Sequence, residues 1–236
     1  KAEKPDFKSM FAEVWREPQA RRFTIFIFIA MLAYSAQDLI LEPFAGLVYG
    51  YTPGESTQLS GVQNMGVLLG MVFTAIIATV VGKSRAHFIR DLTFLGCIAS
   101  ALGLLALCAA AIVGPSWPLK PTVFALGVAN GTFAVAAIGS MMTLASAGRK
   151  GREGTRMGLW GASQAIAFGI GGFLGAAALD IARIMLDDIG PSFAIVFGVE
   201  GLLFFAAAAC ALWVGESSAD NMSLPAFPSP DLYAAE

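Results

Sequence analysis

Histidine, cysteine and charge are scarce in this chain of 236 residues. The single histidine, His87, rules out a His-rich metal centre and argues against a Ser-His-Asp triad. The three cysteines, Cys97, Cys108 and Cys210, sit inside apolar runs and form no Cys-x-x-Cys pair, so they read as small apolar fillers. Charged residues make up 14% of the chain, against about 25% in an ordinary soluble domain. The net charge of −2 leaves no basic footprint for nucleic acid. Neither a nucleophile–base pair nor a nucleotide-binding loop appears. Gly169-Ile170-Gly171-Gly172-Phe173-Leu174-Gly175 has a displaced third glycine and lies inside an apolar span. The expectation is a protein that is not an enzyme.

What is abundant is apolar surface. Hydrophobic residues reach 56%, and 26 glycines come on top of that. A soluble globule of this size cannot bury so much. A helix crossing the roughly 30 Å hydrocarbon core needs about 20 apolar residues, and six stretches qualify: 23–49, 58–81, 89–113, 121–146, 157–181 and 191–214. Backbone groups in lipid must bond internally, and Ala-, Leu- and Gly-rich runs favour helices over barrel strands. The expected fold is an all-α integral membrane bundle of six transmembrane helices.

The basic residues orient it. Of 15 Lys and Arg, 13 fall before the first span or in the second and fourth connections, leaving Lys120 and Arg183 on the other side. The positive-inside rule makes the basic side cytoplasmic, and an even number of spans brings both termini there. Residues 1–22 read as a cytoplasmic linker. Within it Phe7, Met10, Phe11, Val14 and Trp15 share one helical face, which suits either the membrane interface or packing on the end of the bundle. Residues 215–236, with three prolines and no Lys or Arg, read as an extended or disordered tail.

Carboxylates inside a span are unfavourable and call for a reason. Asp38 and Glu42 lie four apart in the first span, with Tyr34 one turn earlier and Gln37 adjacent, so they are expected to share a polar face. They sit roughly 22 and 28 Å in from Phe23. Pro43 is expected to break the helix locally. Glu200, midway along the last span, is placed for an interior partner. Tyr34, Gln37, Asp38, Glu42 and Glu200 are therefore the candidates for ligand binding or proton coupling. The glycines Gly66, Gly70, Gly127, Gly131, Gly158, Gly161, Gly171 and Gly175 are the candidates for close helix packing.

A basic lead-in, six spans and a glycine-rich fifth span resemble the C-terminal half of a major facilitator transporter. The run Ala33-Tyr34-Ser35-Ala36-Gln37-Asp38-Leu39-Ile40-Leu41-Glu42-Pro43-Phe44-Ala45-Gly46, followed by Thr52-Pro53-Gly54-Glu55-Ser56-Thr57, resembles the PucC/LhaA, or bacteriochlorophyll delivery, family of photosynthetic bacteria. The SAQD and TPGEST wording is closer to its LhaA branch. The resemblance covers about residues 10–215 and implies an assembly factor for light-harvesting antenna complexes in the intracytoplasmic photosynthetic membrane. The implied partners are antenna α and β polypeptides, reaction-centre assembly intermediates and the chain's own N-terminal six-helix half. The implied cofactor is bacteriochlorophyll or a precursor, although nothing in the sequence requires one. Asp38, Glu42 and His87 are the candidate ligands to its magnesium. A proton-coupled transporter and a structural component closing or spacing an antenna ring remain as alternatives.

Overall fold

A computed structural model describes residues 7–81, 88–147 and 152–220, and among these there is helix and no strand. The seven helices are α1 (Phe7–Arg16), α2 (Pro18–Tyr49), α3 (Pro53–Val81), α4 (Phe88–Val113), α5 (Leu119–Ala147), α6 (Glu153–Leu186) and α7 (Ile189–Asp220). The last six are long and apolar enough to cross a membrane. The protein is an integral membrane protein with an all-α, six-helix bundle. The end at which α2 starts is called the basic end below, and the opposite one the far end.

The helices outrun the apolar windows at several ends. α2 begins at Pro18 rather than at 23, because proline suits the first helical position and Glu17 precedes it in extended conformation. α6 continues to Leu186, five residues past its apolar window. Two expectations are corrected. α2 runs unbroken through Pro43 to Tyr49, since losing one N–H leaves the other backbone bonds of a buried helix in place. α7 extends to Asp220, so the first residues assigned to an extended tail are helical. The remainder of that tail, residues 221–236, lies outside the described residues, as do residues 82–87 with His87 and the basic stretch 148–151.

Helix ends follow their sequences. Gly50, in the left-handed region at φ 69°, closes α2 by donating to the Gly46 carbonyl, and Tyr51 N–H reaches Ala45. Thr52-Pro53-Gly54-Glu55, part of the wording that carries the family resemblance, is a capping box at the start of α3. Thr52 N–H donates to Glu55 Oε2 at 2.9 Å, and Glu55 N–H donates back to Thr52 Oγ1 at 3.4 Å. Thr52→Ala should destabilise this helix start by about 1 kcal/mol. Faster hydrogen exchange at the first-turn amides of α3, with the rest of the bundle unchanged, would register it.

Packing reveals two three-helix repeats. α3 packs on α5 as α6 packs on α2, α4 packs on α5 as α7 packs on α2, and α4 meets α7 between them. This is the pattern of an internal repeat. Its outcome is that α2 is well enclosed, with 61% of its apolar window buried, whereas α3 and α6 flank the bundle at 22% and 28%.

Glycine sets the spacing of both flanks. Gly66 and Gly70 of α3 interlock with Gly127 and Gly131 of α5, each glycine lying against backbone of the opposing helix. Gly171 and Gly175 do the same on α2, where a Cβ would come 2.5 Å from the Leu32 carbonyl oxygen and 2.9 Å from Ala36 Cβ. Gly158 and Gly161 do not belong with them. A Cβ on either would meet nothing within 4 Å, because they point away from α2 on the open side of α6.

The α2–α6 seam continues through the junction of α1. Thr24 accepts Ser163 Oγ at 3.2 Å and Ala20 accepts Trp160 Nε1 at 3.4 Å. One and two turns further, Arg156 holds Glu17 and Arg152 holds Glu13, with closest approaches of 2.6 and 2.5 Å. Val14 of α1 is fully buried, and α1 contacts α2 and α6.

Candidate functional site

The polar run of α2 divides between two faces. Helical rotation sends Gln37 inward, where it is 1% exposed and its Oε1 accepts from Asn130 Nδ2 of α5 at 3.1 Å. Asp38 and Glu42, one and five residues on, are exposed on the open side of α2 together with Leu39 and Pro43. The expected single Gln37/Asp38/Glu42 face is therefore corrected to an inner amide and an outer carboxylate pair. Tyr34, one turn earlier, is half-buried, its ring 5.8 Å from that of Phe168 on α6.

The outer pair is partly organised. Ser60 of α3 donates its hydroxyl to Glu42 Oε1 at 2.8 Å. That leaves Glu42 Oε2 open, and Asp38 accepts no hydrogen bond among the described residues. Ser35, on the α6 side, is committed elsewhere, donating to the Phe168 carbonyl at 2.6 Å. Asn64, one turn beyond Ser60, is also exposed. Two carboxylates, a hydroxyl and an amide thus line one open face at membrane depth. A face of this kind is unfavourable against lipid and requires water, protein or a ligand over it.

Glu200 is not part of that face. It is 2% exposed on α7, and neither carboxylate oxygen has a partner in the protein among the described residues. Asp180, Asp187 and Asp188 line an open depression at the far end, with Arg183 beside them. The three cysteines are free.

Sequence reasoning overlooked Ser60, Asn130, Ser100 and Arg156. The first three are small polar residues whose neighbours only the packing reveals. Arg156 carried a readable signal. Glu13 and Glu17 are four apart, as are Arg152 and Arg156, and matched helical spacings of opposite charge suit a ladder between parallel helices. Counting Arg156 among the connection cations missed that it is 2% exposed and also donates to the Ala145 carbonyl at 3.2 Å.

The class these features define is a polytopic, all-helical membrane protein with a carboxylate face on its first span. The chain belongs to the PUCC protein family, whose model matches residues 1–219. It is 52% identical over 204 residues to the bacteriochlorophyll synthase 44.5 kDa chain of Rhodobacter capsulatus, covering 86% of this chain and 46% of that one. It is 31% identical over 211 residues to protein PucC of Cereibacter sphaeroides, covering 85% and 44%. An uncharacterized protein of the puhA-bchM intergenic region of Rhodobacter capsulatus is 27% identical over 185 residues, covering 77% and 37%. The chain thus spans about half the length or less of these relatives. No solved structure is significantly similar to it.

Proposed function

We propose that the protein serves the assembly of bacterial light-harvesting antenna complexes, holding antenna polypeptides and handing over bacteriochlorophyll. The observation that carries this reading is the open Asp38/Glu42/Ser60 face on the first span of a chain 52% identical to a protein named for bacteriochlorophyll synthesis. The residues present fit such a pigment. Asp38 and Glu42 Oε2 are uncommitted oxygens suited to a hard magnesium ion, and exposed Leu39, Leu47 and Phe173 offer apolar surface for a macrocycle and its tail. When bound, the pigment supplies light absorption. The chain supplies orientation and shielding from water. In this reading the six helices are one half of a twelve-helix, major-facilitator-type bundle, and the open sides of α2, α3 and α6 meet the other half. Both termini face the cytoplasm, and the LhaA-like wording favours the core antenna around the reaction centre.

The test is pigment content of the full-length protein purified from photosynthetic membranes. Asp38→Asn and Glu42→Gln together should lower bacteriochlorophyll retained per protein at least about tenfold, the loss of one charge-assisted contact. Antenna polypeptides should still co-purify, because they dock elsewhere. Wild-type protein with neither pigment nor antenna subunits would overturn the reading. The carboxylates also favour a second one, a proton-coupled carrier. Proteoliposome uptake abolished by Asp38→Asn, in a protein that never carries pigment, would decide for it.

A further inference from the structure

Four buried polar side chains, one from each of four helices, meet at one level of the bundle. They are Gln37 of α2, Ser100 of α4, Asn130 of α5 and Glu200 of α7, and none is more than 2% exposed. The register follows from the contacts around them. Gly96 lies against Phe133 and Gly103 against Leu126, which sets Ser100 beside Asn130 across α4 and α5. Gly201 lies against the Ala101 carbonyl, which brings Glu200 to Ser100 across α7 and α4. The ring pairs Phe44–Phe197 and Phe133–Phe204 lie one on each side of Glu200, so its turn of α7 faces both α2 and α5.

The hydrogen-bond ledger of this level is lopsided. Asn130 spends an N–H on Gln37, leaving its Oδ1 without a partner. Ser100 Oγ and both oxygens of Glu200 are likewise unpartnered among the described residues. Four oxygens face one buried level, and each is unfavourable unless something donates to it. No Arg or Lys lies at this level on these helices; α2 carries Arg21 and Arg22 at its basic end, α4 carries Arg90 and α5 carries Lys120 near their ends. Apolar rings close the level on both sides. Phe44, Phe193 and Phe197 cluster toward the far end, while Phe26, Phe133 and Phe204 cluster toward the basic end.

We propose that this level is an internal hydration site, in which bound water donates to Asn130, Glu200 and Ser100 and ties the two three-helix repeats together. A buried water forms about three hydrogen bonds, of which it donates two, so two molecules meet the demand of four oxygens. Direct pairing would require these side chains to touch, whereas water spans polar groups that do not. The site is separate from the outer carboxylates and stands whether or not these bind pigment.

X-ray hydroxyl-radical labelling of the full-length detergent-solubilised protein, read by mass spectrometry, tests it. Buried side chains are oxidised this way where bound water lies beside them. Phe197 and Phe204 sit one turn from the site and should be labelled several-fold more than Phe23, equally buried near the basic end. Glu200→Leu and Asn130→Leu, each checked for folding by circular dichroism and gel filtration, should reduce that labelling to the level of Phe23. Wild-type labelling no greater than that of Phe23 would overturn the proposal, and this comparison stands even if a variant fails to fold. Labelling that survives in a folded Glu200→Leu protein would overturn it as well.

Discussion

Gly131→Ala should drive α3 and α5 apart and destabilise the bundle by about 3 kcal/mol, at the upper end of ordinary overpacking. A methyl group at this position runs into the Val67 carbonyl oxygen and comes 2.9 Å from its carbon and 3.0 Å from the Met71 nitrogen. Those atoms are backbone, so no rotamer change relieves the clash. The helices must separate, and the interlocked Gly66, Gly70 and Gly127 then lose their contacts as well. Gly161→Ala is the matched control. Its methyl meets nothing within 4 Å, and alanine is the better helix former by up to about 1 kcal/mol. The two variants make the same chemical change in consecutive helices, and in the 236-residue chain on its own they should move stability in opposite directions. Thermal unfolding in detergent, followed by gel filtration of the surviving monodisperse protein, would distinguish them. Equal midpoints would show that the α3–α5 seam does not depend on close approach.

The contrast shows which features were legible in the sequence. Apolar length alone locates six membrane helices, because hydrocarbon leaves the backbone no alternative to internal bonding. Glycine spacing picks out the α3–α5 seam, since Gly66/Gly70 and Gly127/Gly131 recur at the same interval. It fails at Gly158 and Gly161, where the same residue type faces outward. Which side of a glycine-rich helix is covered depends on its neighbours and not on its own pattern. The carboxylates are likewise visible as chemistry but not as geometry. A spacing of four places Asp38 and Glu42 on one face, yet adjacency cannot bring Gln37 along, because one residue is a turn of about 100°. Glu200 stands out in the sequence, but its level is defined by Ser100 and Asn130, small polar residues that look unremarkable until α4 and α5 are set side by side.

Removing the carboxylate of Glu17 should weaken the basic end of the bundle more than removing the guanidinium of Arg156, although both changes break the same ion pair. Arg156 is 2% exposed and donates Nε and Nη2 to the two oxygens of Glu17 at 2.6–2.9 Å, with Nη1 on the Ala145 carbonyl at 3.2 Å. In Glu17→Ala this guanidinium stays buried without its counter-charge. Breaking a buried pair in this way destabilises by about 3–5 kcal/mol. The lower figure applies here, because the Glu17 side chain is 26% exposed and water enters from that side. In Arg156→Met the reverse holds: the orphaned carboxylate turns toward the same water, and the apolar chain fills the space left behind. The double variant Glu17→Leu/Arg156→Met should recover most of the loss, since an apolar pair of similar volume is often neutral in place of a buried ion pair. Arg156→Lys should not recover it, because a single ammonium cannot reproduce the two-oxygen grip and still reach Ala145. The loss should also be local. The pair joins the start of α2 to the start of α6, and Arg152 with Glu13 joins that same end of α6 to the last turn of α1. Hydrogen exchange in Glu17→Ala should therefore quicken in α1 and the first turns of α6 before it changes in α4 or α7. Uniform quickening across all helices, or equal damage from Glu17→Ala and Arg156→Met, would show that the ladder does not anchor this end.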